Sequence, residues 1–279
     1  MKFCHIAPIG HLDLVANRSA HLTLAHLIDE GHQDYIDFYK NEKYDINIMD
    51  NSGFELYKAH LPMFDPEKLV GLAQTIQATH IVLPDTPSHP SMVGIDDAKR
   101  YAPIFKEAGF GTFFVPQSDV LDLEDLITSF AWAASSPLID YIGISILAVP
   151  NAYGCEQGNP LQRYMSRYKF MNELYDRNLL QLAAQNNKKI HMLGMVDGPN
   201  EISLLRDFHI DTWDSSAGAW AGLNGIAIDW SPTGFVEGKF ERHVDFYDKV
   251  GDNSLIELAQ SNINKIDDLV ERYNFTERL

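Results

Sequence analysis

One closed (β/α)8 barrel, an α/β fold built as a single domain over residues 1–279, is what this sequence predicts, and three observations lead there. Short β-rich runs alternate with helix-length segments through the 279 residues, the pattern of a parallel sheet joined by crossover helices. That length suits one eight-stranded barrel better than two domains. No G-x-G-x-x-G follows the first run, "KFCHIA", which removes the main signal for the open doubly wound alternative.

The elements follow in order. The run 2–7, "KFCHIA", is followed by a helix over 19–29 and the strand "INIMD" at 46–50. "FDPEKLVGLAQ" opens a helix over 65–77, with Asp65 as its cap, Pro66 at the first helical position and Glu67 in the first turn. The strand "HIVLPD" (80–85) precedes a helix over 91–108, which ends in "KEAGFG", where Gly109 supplies a left-handed residue. "GTFFVPQ" (111–117), a helix over 122–135, "YIGISILAV" (141–149) and a helix over 160–186 continue the alternation. "KKIHMLGM" (188–195), a helix over 199–207, "IDTWDSS" (210–216), "NGIAID" (224–229) and a helix over 254–273 complete it.

A formal net charge of −17 repels polyanions at long range, so a nucleic-acid partner needs a local basic patch. "LQRYMSRYKFMNELYDR" (161–177) offers one, with Arg163 and Arg167 a helical turn apart and Lys169 nearby, although a solvated helix face accounts for the same charges. Cys4 and Cys155 are too few for a disulfide framework or a four-cysteine zinc site. No run of eighteen apolar residues indicates a membrane span, and "MKFCHIAPIG" lacks the apolar core of a secretion signal. A reducing, cytoplasmic location with no membrane partner is expected.

Asp50, Asp85, Gln117, Ser145 and Asp214 fall at or just past the C-terminal ends of strands, the rim on which such a barrel gathers its site. Any one of them alone reads as a loop or cap residue; closure of the barrel brings all five to one mouth. Three carboxylates and an amide permit two kinds of chemistry. Paired carboxylates suit displacement at an anomeric carbon, one attacking and the other moving protons. Alternatively, an Asp accepting from adjacent N–H donors reads the Watson–Crick edge of guanine, helped by a Gln amide. A buried polar group left unpaired there costs about 1–3 kcal/mol, enough for selectivity. Phe54, Tyr57 and Trp213 lie near the same strand ends and are candidates to sandwich a base, against core packing as the ordinary role of an aromatic. His5, His11, His21, His26 and His191 form no recognised ligand spacing and read as structural, so no metal is expected.

Together these segments resemble motifs of the tRNA-guanine transglycosylase superfamily. "HMLGMVDGPNEISLLRDFHIDTWDSS" (191–216) is similar to the family's stretch from a leucine–glycine strand end to the catalytic D-x-F-D-S/C. "MDNSGFE" (49–55) resembles D-S-G-G-F-Q, and "VLPDTPSHP" (82–90) resembles the strand that ends in the base-reading Asp. "FFVPQSD" (113–119) resembles the strand ending in V-Q-G, and "IGISILAV" (142–149) is similar to I-G-G-L-A-V. The matches keep the family's order over 46–216. The resemblance implies a TIM barrel that exchanges guanine in a nucleic acid for a 7-deazaguanine, without metal or redox cofactor. It implies Asp214 as the nucleophile of a covalent glycosyl intermediate and Asp50 as the general acid/base. Asp85 and Gln117 would bind the base edge, with backbone from Gly143 to Ser145 and at Leu193–Gly194 completing the pocket.

The departures narrow the resemblance. Residues 217–279 contain no Cys, so the family's zinc-binding subdomain is absent. Phe54–Glu55 stand where the family has Gln, the Cys after the base-reading Asp is missing, and "IGISI" aligns with I-G-G only through a gap. This compact form looks more like the phage-type DNA 7-deazaguanine transglycosylases, whose N-terminal motif "HLTLAHL" (21–27) also resembles. DNA and a base of the 7-cyano-7-deazaguanine type are then the expected partners, with tRNA as the alternative polymer. A homo-oligomer is left open, and so is a non-catalytic, base-binding or accessory barrel.

Overall fold

The computed structural model describes residues 1–156, 159–195, 199–228 and 244–275; Val196, Asp197 and Gly198 of the 191–216 motif, and Asp229, lie outside them. Eight strands form one parallel sheet: β1 (Lys2–His5), β2 (Ala20–Leu24), β3 (Ile46–Asp50), β4 (His80–Val82), β5 (Gly111–Phe114), β6 (Tyr141–Ser145), β7 (Lys189–Leu193) and β8 (Thr212–Ser215). The order is β1-β8-β7-β6-β5-β4-β3-β2, and β1 touches β2 across the remaining seam. The sheet is therefore rolled into a nearly closed TIM barrel.

Residues in register on neighbouring parallel strands share a face of the pleat. The pairs Cys4–Asp214, Thr212–His191, His191–Gly143 and Tyr141–Phe113 run along one such face. Phe113 of β5 packs edge-on against His191 of β7, with ring centroids 5.1 Å apart across the intervening strand, so this face is the barrel interior. Gly143 makes that contact possible, since a Cβ there would lie 2.5 Å from Phe113 Cε1 and 2.7 Å from Leu193 Cδ1. Toward the C-terminal ends the inward positions turn polar, at Asp50, Ser145 and Asp214.

Helices α1 (Ala25–Asp29) and α2 (Gln33–Asn41) follow β2, and α3 (Gly53–Lys58) and α4 (Pro66–Thr75) follow β3. Next come α5 (Ser91–Glu107) and α6 (Leu123–Ser135), then α7 (Ala148–Ala152), α8 (Pro160–Asp176) and α9 (Leu179–Gln185) after β6. The last are α10 (Asn200–Leu204), α11 (Ala217–Leu223) and α12 (Asn253–Phe275). The first crossover carries only the 3-10 segment Ile9–Val15. Helix α12 covers β1 instead, where Asp267 meets His5 Nε2 at 2.9 Å and Arg18 at 2.6 Å. Gly222 lets α11 close on α12, because a Cβ there would stand 2.2 Å from Ala259 Cα.

Three expectations are corrected. Residues 19–29 are not one helix: 20–24 form β2, with Leu22 and Leu24 turned to the interior, and only 25–29 are helical. The 224–229 run forms no strand over its described residues. Asn262 of α12 donates to Ile226 O and accepts from Ile228 N–H, so a helix side chain supplies the bonds a neighbouring strand would have made. The 160–186 helix breaks at Asn178, whose φ is +59°. Asp65 holds the N-cap position of α4 without a side-chain capping bond, whereas Asp122 and Asn159 do cap α6 and α8. Gly109 has the positive φ, +90°, that its helix end called for. Among the described residues no helix is long and apolar enough to cross a membrane.

Candidate active site

The turn after β3 explains why an apolar strand ends in Asp-Asn-Ser-Gly. Asp50 Oδ1 accepts the Ser52 N–H at 2.6 Å, and Asn51 Oδ1 accepts the Gly53 N–H at 2.7 Å. Short polar side chains thus replace ladder bonds where the chain turns. Ser52, at φ +57°, places its Oγ 3.0 Å from His26 N and 2.9 Å from His26 Nδ1. Asn51 Nδ2 donates to Leu83 O at 2.8 Å and to Asp85 Oδ1 at 3.0 Å, tying the turn to the end of β4. Gly53 keeps the approach open, since its Cβ would come 3.0 Å from Asp85 Oδ1.

The other oxygen of Asp85 accepts Gln117 Nε2 at 3.0 Å. Gln117 is only 4 % exposed, and its Oε1 has no hydrogen-bond partner among the described residues. A buried acceptor in that state costs about 1–3 kcal/mol, which a ligand N–H would recover.

Asp214 projects from β8 into the same space. Its Oδ1 accepts the Gly194 N–H at 3.0 Å and lies 2.9 Å from His191 Nε2, while His191 Nδ1 lies 2.7 Å from Thr212 Oγ1. Gly194 aims its N–H at the carboxylate through a φ of +68°, and its carbonyl accepts from Arg167 and Trp213 Nε1.

Asp50, Asp85, Gln117 and Asp214 line one cavity of about 990 Å³, at the large end for a small-molecule site. Burial pushes the Asp50 carboxyl well above its ordinary value, and the charges of Glu55, Asp85 and Asp214 push it further against the Ser52 bond. Burial raises Asp85 too, with the Asn51 and Gln117 amides pulling it back. Asp50 is therefore suited to carry a proton, and Asp214, facing the Gly194 N–H and the His191 ring, to act as an acceptor. Among the described residues no three His, Cys, Asp or Glu side chains group as a metal cage.

Ser145, Leu193, Gly194, Arg163 and Phe54 also border the cavity, Phe54 at the rim and 53 % exposed. Ser145 Oγ, however, accepts the Leu147 and Ala148 N–H groups at the start of α7. Gly143 lies one layer deeper, below the lining. Trp213 is corrected: next to Asp214 on the strand, it faces outward into the core, with the Arg167 guanidinium 5.4 Å from its ring. The Tyr57 side chain lies outside what is described. The basic patch is corrected as well. Arg167 is fully buried, its Nε 3.1 Å from Glu201 Oε1 and its NH1 on the Leu193 and Gly194 carbonyls. Lys169, two residues on, is turned roughly 200° around the helix and is exposed. His191 and His26, read from sequence as structural, both stand at the site. Period-2 alternation back from Leu193 was the available signal for His191. No protein-family model matches the chain, and no curated protein matches it either.

Proposed function

We propose that this protein is a base-exchange transglycosylase that replaces guanine in DNA by a 7-deazaguanine through a covalent Asp214 glycosyl intermediate. One observation carries the reading: Asp50, Asp85, Gln117 and Asp214, from the ends of four different strands, share one cavity. The target guanine leaves the base stack, at a cost of about a few kcal/mol. Asp85 and the unpartnered Gln117 Oε1 meet its polar edge. Asp214 Oδ2 bonds to the sugar C1′ as the C1′–N9 bond breaks, and the electron pair leaves with guanine, which takes the Asp50 proton. The entering deazapurine returns its N9 proton to Asp50 and displaces Asp214, so two inversions give retention.

Asp214→Asn should abolish the covalent protein–DNA adduct, read by intact mass after mixing with DNA and a 7-deazaguanine. Near-normal exchange of labelled guanine by that variant would remove Asp214 from the role. Substituting tRNA for duplex DNA in the exchange assay decides the polymer.

A second reading, a non-catalytic base-binding barrel, is favoured by the net charge of −17 and by the loss of Arg167 to the interior. It predicts binding of the free base with no adduct on any nucleic acid.

A further inference from the structure

Asp214 is backed by a row of side chains running down the barrel interior. His191 and Thr212 are fully buried and in register on β7 and β8. His191 Nε2 lies 2.9 Å from Asp214 Oδ1, and Nδ1 lies 2.7 Å from Thr212 Oγ1. Tyr141 of β6 continues the row on the same inner face. The far end of the row sets its polarity. An ionised carboxylate can only accept, so Nε2 carries a hydrogen and donates it. Nδ1 of a neutral imidazole then accepts from the Thr212 hydroxyl. Phe113, edge-on to the ring, fixes its plane.

We infer that His191, oriented by Thr212, is a positioning residue for Asp214; this rests on the reading of Asp214 as nucleophile. Two donors, His191 Nε2–H and the Gly194 N–H, converge on Oδ1, which leaves Oδ2 as the oxygen presented to the anomeric carbon. When Oδ2 bonds to C1′, Oδ1 becomes the carbonyl oxygen of an ester and still accepts from both donors. The support is preorganised for carboxylate and ester alike, and His191 gains or loses no proton. A histidine that merely filled the core would be satisfied by any ring of the same shape.

His191→Phe keeps the ring and removes the donor, whereas His191→Gln places an amide nitrogen near the position of Nε2. The Phe variant should form the DNA adduct about 100-fold more slowly at saturating DNA, as loss of one preorganised donor does, with DNA affinity unchanged. The Gln variant should recover most of that loss. Adduct formation by His191→Phe at the unsubstituted rate would overturn the inference, and so would equal losses in the Phe and Gln variants. Should His191→Phe fail to fold, 15N NMR of the histidine-labelled, unsubstituted protein decides instead: the Nε2–H tautomer at His191 supports the inference, and the Nδ1–H tautomer overturns it. That measurement needs no substrate. Absence of any adduct in the unsubstituted protein would instead strike at Asp214 as nucleophile, and is thereby distinguishable.

Discussion

Asp50 carries two opposite demands in one carboxyl group. Its folded-state value is raised, first by burial and then by Glu55, Asp85 and Asp214, so the folded chain holds the proton more tightly than the unfolded chain does. That contribution to stability is complete below the ordinary carboxylate value of about 4 and is lost as pH rises through the folded value. Asp50→Asn keeps an acceptor for the Ser52 N–H and removes the charge. It should therefore raise Tm at pH 8 and leave it nearly unchanged at pH 4; equal shifts at both would contradict the account. The same variant should lose about 10²–10⁴-fold in base exchange, the usual worth of a general acid. Asp50, Asp85, Gln117 and Asp214 were legible because each falls at or just past the C-terminal end of a β-rich run. Trp213 was misread although the pleat forbids it from sharing a face with Asp214. Arg167 was misread because its burial depends on Glu201, brought to it only by the fold.

Elements were legible where one period dominated. The segment 19–29 mixes two: Leu22 and Leu24 alternate as a strand should, while Ala25, Leu27 and Ile28 pack as a helix. Reading the whole as a helix lost β2, and counting 224–229 as a strand restored the total of eight by accident. Ile226 and Ile228 alternate because both turn to the core, while Asn262 of α12 bonds their backbone. The same helix seals the seam. Burial alone would raise Asp267, but bonds from His5 and Arg18 outweigh it and hold the group below the usual carboxylate range. A depressed value contributes stability above the ordinary carboxylate pKa, and that stability fades as pH falls through the folded value. Asp267→Asn should cost about 1–3 kcal/mol at pH 7 and far less at pH 3, as urea melts at the two pH values would record.

For the whole molecule, the repeated alternation of strand and helix pointed to the barrel even with one strand exchanged for another, since few other folds bury so many parallel strands in one domain. Charge is the harder matter. A chain at −17 repels a duplex, and the cations on the described cavity lining are Lys58 and Arg163. With about two phosphates neutralised, the affinity for DNA should fall with a log–log salt slope of roughly −2. Fluorescence anisotropy across 50–200 mM salt, a range of roughly the usual breadth for such titrations, would give that slope. A value near −6 would mean that a basic surface elsewhere on the molecule does the binding.

The cover that α12 lays over β1 also bears on how the protein is made. β1 is synthesised long before α12, yet His5 on its outer side meets Asp267 of that helix only after 253–275 have been translated. A nascent chain stalled between β1 and α12 carries a strand without its cover, so closure of the barrel waits on α12 and products stopped before it are the ones to aggregate.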